Sequence, residues 1–183
     1  ASPSADVFEE RFEKYTTVLN LLAAISRWSL VNGQKIGIWG HSNGGQIALT
    51  VLAVTGKSFP TTLWAPVTTE FPYSILYYMD DNSDGDKELR RKLVEFEKEY
   101  ESDSFNWSNY LERIDAPLQL HQGTGDSSVP TNWRREVIKR LSDLEKEINY
   151  FEYPGADHNL APDWNTVVER DIEFFKENLG LTD

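Results

Sequence analysis

Apolar residues near the start of the chain recur at steps of four and three: Phe8, Phe12, Tyr15, Leu19 and Leu22. That spacing predicts one face of an amphipathic helix running to about Leu30. Ser4 and Asp6, preceded by Pro3, are its candidate N-caps, and Asn32-Gly33 is a turn signal behind it. Lys35 to Trp39 is short and apolar, the pattern of a strand buried on both faces. A tight turn over Gly40 to Gly45 leads into an apolar helix, Gln46 to Val54, stopped near Gly56. Phe59 to Ala65 reads as a second strand, closed by Pro66.

The second half repeats this alternation. After an aromatic, irregular stretch (67–85) come a highly charged helix, Asp86 to Tyr100, and a short helix, Phe105 to Ile114. Pro117 to His121 is a strand, Thr131 to Leu144 a helix and Ile148 to Tyr153 a strand, joined by loops over Gly123 to Pro130 and Pro154 to Ala161. A last helix, Pro162 to Leu179, sets Trp164, Val168, Ile172, Phe175 and Leu179 on one face, with Gly180 as its stop. Strands alternating with helices predict an α/β fold, a mostly parallel sheet flanked by helices. The chain reads as one domain over 1–183, with a cap-like helical insertion at about 67–113.

Composition narrows the chemistry. Thirty Asp and Glu against eighteen Lys and Arg leave a formal net charge of −12. Such a surface repels phosphate backbones and anionic lipid, so neither nucleic acid nor a membrane is the expected partner. No stretch approaches the ~20 apolar residues of a membrane span. The absence of cysteine removes disulfides, thiol catalysis and Cys-type zinc sites. Asp80-Asp81-Asn82-Ser83-Asp84-Gly85 imitates the first half of a calcium loop, but the closing Glu is replaced by Arg91. The stretch therefore reads as a solvated acidic turn, and no metal or cofactor is expected.

Gly40-His41-Ser42-Asn43-Gly44 matches G-x-S-x-G, between a predicted strand and a predicted helix. A sharp strand-to-helix turn lifts its serine into an exposed, strained position, and Gly40 and Gly44 let backbones pass where a Cβ would clash. The helix N-terminus places positive dipole beneath Ser42. A serine nucleophile needs a base, and the base an orienting acid. Asp126 and His158 each lie in a loop just after a predicted strand, in the chain order Ser, Asp, His, at the sheet end where open α/β folds build their sites. Ser42 is thus the candidate nucleophile, Asp126 the acid and His158 the base. His41 reads as packing beneath the turn, and His121 as a hydrogen-bonded structural residue.

These motifs resemble the α/β-hydrolases. Ser42-Asn43-Gly44-Gly45 is similar to the prolyl oligopeptidase group of serine peptidases and to related esterases, as are Ile36-Gly37-Ile38-Trp39-Gly40, the Asp126 loop ending in Val129-Pro130, and Tyr153-Pro154-Gly155 before His158. One departure is Gln122, which displaces the glycine of the Asp loop to Gly123. The resemblance covers most of the chain outside about 67–110. It implies a serine hydrolase cleaving an ester or a small peptide bond, with the backbone N–H of Asn43 as one oxyanion donor. The alternative is a non-catalytic interaction domain that keeps the fold. The second oxyanion donor and the first strands of such a fold have no counterpart in this sequence. The resemblance therefore implies a partner, an N-terminal fragment of the same protein that completes the sheet.

Overall fold

A computed structural model describes residues 7–33, 35–78 and 87–181. Four parallel strands, β1 (Ile38–His41), β2 (Thr61–Trp64), β3 (Leu118–Gly123) and β4 (Ile148–Tyr153), stand in the order β1-β2-β3-β4. The helices are α1 (Val7–Ile25), α2 (Asn43–Thr55), α3 (Tyr73–Leu76), α4 (Lys87–Glu99), α5 (Thr131–Asp143) and α6 (Trp164–Leu179), with 3₁₀ turns at Ser102–Phe105 and Trp107–Arg113. The main core lies on one face of the sheet. There Leu49 and Leu52 of α2, Leu63, Leu118 and Leu120 of the strands and Val137 and Leu141 of α5 pack together. On the opposite face Trp64, Tyr153, Leu160 and Val167 form a second cluster under α6. Alternation along each strand divides the two faces, Leu63 pointing one way and Trp64 the other.

Three expectations need correction. The first helix ends at Ile25, not near Leu30. Beyond it the bonds tighten to Arg27 N–H with Ala24 and Trp28 N–H with Ile25, and Trp28 and Leu30 face solvent, so no core holds a further turn. Its candidate caps, Ser4 and Asp6, lie outside the described residues, as does the acidic run from Asp80 to Gly85. Next, β1 starts at Ile38 and is not buried on both faces: Trp39 is 54% exposed. Its ladder begins where β2 begins, Ile38 paired with Thr61, and its other side is a sheet edge among the described residues. Finally, α6 turns a different face inward. Val167, Asp171 and Phe174 are buried, while Trp164 and Ile172 are half exposed.

Asp171 explains that rotation. Beneath it the strands present polar groups: Thr62 Oγ1 (2.6 Å), Trp64 Nε1 (2.7 Å), Gln119 Nε2 (3.0 Å) and His121 Nε2 (3.0 Å) all donate to its carboxylate. A buried carboxylate with this many donors fixes the helix by hydrogen bonding, which a hydrophobic pattern does not register. His121 is fully buried, and its Nδ1 meets the hydroxyl of Tyr153 at 2.8 Å.

The segment between β2 and β3 divides its aromatic residues between two tasks. Phe71, Phe96 and Phe105 close on Phe8 and Phe12 of α1, with ring centroids 4.5 to 5.9 Å apart. Trp107 joins the main core. Tyr73, Tyr77 and Tyr78 remain exposed. Helix α4, charged over most of its surface, buries only Leu89 and Phe96. Among the described residues no helix is long and apolar enough to cross a membrane.

Candidate active site

Ser42 sits between the last residue of β1 and the first of α2, with φ 56° and ψ −121°. A residue with a Cβ rarely holds such a backbone, and it persists only where the surroundings fix it. The surroundings here are hydrogen bonds: Ser42 N–H donates to Trp64 O at 2.9 Å, and Ser42 O accepts from Gly45 N–H and Val67 N–H at 3.0 Å each. Gly40 permits the turn, since a Cβ there would stand 2.6 Å from Gly44 O and 2.9 Å from Gly45 Cα. The same reasoning fails at Gly44, where a Cβ would meet nothing within 4 Å. Asn43 opens α2, and the first N–H groups of a helix have no partner within it.

The Asp126 and His158 loops are laced together at the other side of the site. Thr124 N–H donates to Tyr153 O (2.9 Å), Gly125 N–H to Ala156 O (3.0 Å), and Gly155 N–H to Thr124 Oγ1 (2.7 Å). Gly123 sits where they cross, and a Cβ there would lie 2.1 Å from Ala156 O and 2.6 Å from Asp157 O. Gly123→Ala must therefore push back the backbone that leads into His158. A displacement of about 1 Å is enough to cost on the order of 100-fold in rate. A fall of that size in kcat/KM, with a folded circular dichroism spectrum, is the expected result, and a variant of wild-type activity contradicts the packing described.

Asp126 and His158 meet directly. His158 Nδ1 stands 2.9 Å from Asp126 Oδ2, and the carboxylate side chain is fully buried. Asp126 Oδ1 accepts from Ser128 N–H (2.8 Å) and Val129 N–H (2.9 Å), and Gln122 Nε2 donates to Oδ2 (2.8 Å). Burial pushes this carboxyl up. The bonds from His158, Val129, Ser128 and Gln122 together outweigh it and hold the group below the usual carboxylate value. With Nδ1 engaged, Nε2 is the imidazole nitrogen left for other work. The Ser42 hydroxyl forms no hydrogen bond with it in the resting geometry. Such contacts commonly tighten only when substrate is bound.

Two neighbours carry no motif. His41 Nε2 lies 3.0 Å from the backbone oxygen of His158, which can only accept, so that nitrogen carries the proton. The two imidazole rings stand 4.6 Å apart. Position next to Ser42 was the only sequence hint for His41; its contact spans 117 residues. Tyr77 and Tyr78 pack edge-on against Trp133 of α5, with centroids 4.9 and 6.2 Å away. Half-burial of the phenol, the neighbouring Tyr77 and the charge of Asp126 push Tyr78 up to about 12. Among the described residues no three His, Cys, Asp or Glu side chains gather as metal ligands.

A parallel sheet between helices, with a serine on a strained strand-to-helix turn and the Asp126 and His158 loops at the same strand ends, defines an α/β-hydrolase fold. The model of the prolyl oligopeptidase family matches residues 10–182, and the chain belongs to that family. Solved structures agree on the fold. The chain is similar to dipeptidyl peptidase 4 from Porphyromonas gingivalis (18% identity, TM-score 0.69, 90% of this chain and 22% of that one). It is also similar to an acylaminoacyl peptidase from Pyrococcus horikoshii (19%, TM-score 0.68, 92% and 28%). A third similarity is to the α/β-hydrolase GrgF from a Penicillium species (16%, TM-score 0.68, 93% and 73%). The chain thus spans less than a third of those two peptidases' length. No curated protein sequence matches it.

Proposed function

We propose that this chain carries the nucleophile, acid and base of a serine hydrolase that cleaves an ester or a small peptide or amide bond. The observation that supports this most strongly is the 2.9 Å bond from His158 Nδ1 to the buried Asp126, on loops at the same sheet end as the strained Ser42 turn. Ser42 Oγ attacks the substrate carbonyl while His158 Nε2 accepts its proton, and Asp126 holds the imidazole through Nδ1. The N–H of Asn43 at the start of α2 receives the developing oxyanion, where one such donor is worth about 10²–10³ in rate. His158 then returns the proton to the leaving group, and water releases the acyl group by the same route. The patch of Tyr77, Tyr78 and Trp133 beside Asp126 suits an apolar substrate side chain.

The reading includes a partner. One side of β1 is an unpaired parallel edge among the described residues, and Trp39 lies half exposed on it. Open apolar parallel edges invite pairing and aggregation, and parallel sheets are normally covered. We infer that an N-terminal segment of the same protein supplies the neighbouring strands and the second oxyanion donor. Mass spectrometry of an active preparation should find that segment, covalently joined or co-purifying, and such a preparation should hydrolyse a p-nitrophenyl ester or an aminoacyl amide. These 183 residues alone should be insoluble or inactive. A soluble, monomeric and fully active 183-residue chain would overturn the partner, and an active preparation is required for the hydrolase itself.

A further inference from the structure

We propose that Gln122 is a positioning residue for Asp126, holding the carboxylate oxygen that receives His158 and so setting where the imidazole stands. The proposal rests on reading Asp126 and His158 as the acid–base couple. Gln122 is the last but one residue of β3, completely buried, in the alternate row that begins with the core residues Leu118 and Leu120. A primary amide in such a row is costly unless its polar atoms are used. Here only one end is used well: Nε2 donates to Asp126 Oδ2 at 2.8 Å, while Oε1 is buried with no partner among the described residues. The reversed amide would set Oε1 against the carboxylate, so the charge of Asp126 dictates the orientation.

The division of donors gives Gln122 its role. Both backbone N–H groups, of Ser128 and Val129, bind Oδ1 and leave Oδ2 to side chains. Among the described residues, Oδ2 accepts from Gln122 and from His158 alone. Without Gln122 the imidazole would be the sole anchor of the oxygen that is meant to orient it. With Gln122 the oxygen is fixed first, and His158 aligns to it. A second donor on Oδ2 also spreads its negative charge and moderates the pull of Asp126 on the Nδ1 proton. Among the described residues, the other titratable groups facing the couple are His41, at the end of β1, and Tyr78, after α3.

The test compares Q122L and Q122E with wild type in the complete, active protein. Q122L should lower kcat on the order of tenfold with KM nearly unchanged, since orientation of the base is lost but not binding. Its acid limb should move up by about half a pH unit, because a carboxylate freed of one donor stabilises the imidazolium more. Q122E keeps the shape. Protonated, it donates the same hydrogen bond and its rate should match that of wild type at the same low pH; ionised, it sets two anions side by side, and the rate should fall below that of wild type as pH rises. A purely structural Gln122 would lower Tm in Q122L while leaving kcat per folded molecule and the acid limb unchanged, and that result overturns the proposal. If Q122L does not fold, the pH profile of Q122E decides alone, a profile parallel to wild type being the contrary outcome. If wild type shows no turnover, the hydrolase reading fails separately. The low-field NMR resonance of His158 Nδ1–H then still reports on Gln122. It should shift in Q122L, and an unmoved resonance rejects the role.

Discussion

Ser42→Ala is expected to reduce turnover by several orders of magnitude while the protein stays folded. In the proposed mechanism the hydroxyl is the only part of the residue that enters the chemistry. Alanine keeps a Cβ in the same backbone conformation, and the bonds that hold the turn, from Ser42 N–H to Trp64 O and from Gly45 and Val67 N–H to Ser42 O, are all main-chain. Loss of one member of a serine–histidine–aspartate set removes several orders of magnitude in rate, because its members act as a unit. Residual hydrolysis from oxyanion stabilisation and binding remains above water. A variant that retains more than about a tenth of wild-type kcat/KM would place the nucleophile elsewhere.

The second large effect concerns stability. Asp171→Ala should cost about 3 kcal/mol or more, because each buried donor left without its acceptor costs about 1–3 kcal/mol. The carboxylate takes four side-chain donors, from Thr62, Trp64, Gln119 and His121, all of them buried. Thr62, Gln119 and His121 are at most 3% exposed. A domain is stable by only about 5–15 kcal/mol in total, so the variant should show a Tm lower by on the order of 10 °C. Ile172→Ala, one position along α6 and half exposed, should cost less than about 0.5 kcal/mol. Denaturant unfolding of the two variants checks the rotation of α6 directly. If Ile172→Ala proves the more damaging, the helix presents the other face to the sheet.

That pair of variants also marks where sequence reasoning stopped. The apolar spacing of α6 favoured Trp164, Val168 and Ile172 as the inner face, because hydrophobic periodicity assigns no value to a buried carboxylate. Asp171 is inside only because Thr62, Trp64, Gln119 and His121, from two distant strands, converge on it. The parallel sheet, by contrast, was readable from alternation alone, and β4 falls at its expected bounds, Ile148 to Tyr153. The meeting of Asp126 and His158 was readable because each residue follows a strand, and parallel strands bring such loops to one end. His41 and Gln122 were not assigned their contacts. The first depends on a loop 117 residues away, and the second on an amide orientation set by the loop that folds back over it. The exposed edge of β1 was misread for a related reason, since an apolar strand signals burial without saying which neighbour provides it.

Labelling with a fluorophosphonate probe tests the central claim most directly. The probe reacts with a serine only where a base activates it. Mass mapping of the labelled, active protein should find a single adduct on Ser42, absent from Ser42→Ala and strongly diminished in His158→Ala. An adduct on another serine, or labelling of Ser42 that survives the loss of His158 undiminished, would contradict the assignment of nucleophile and base.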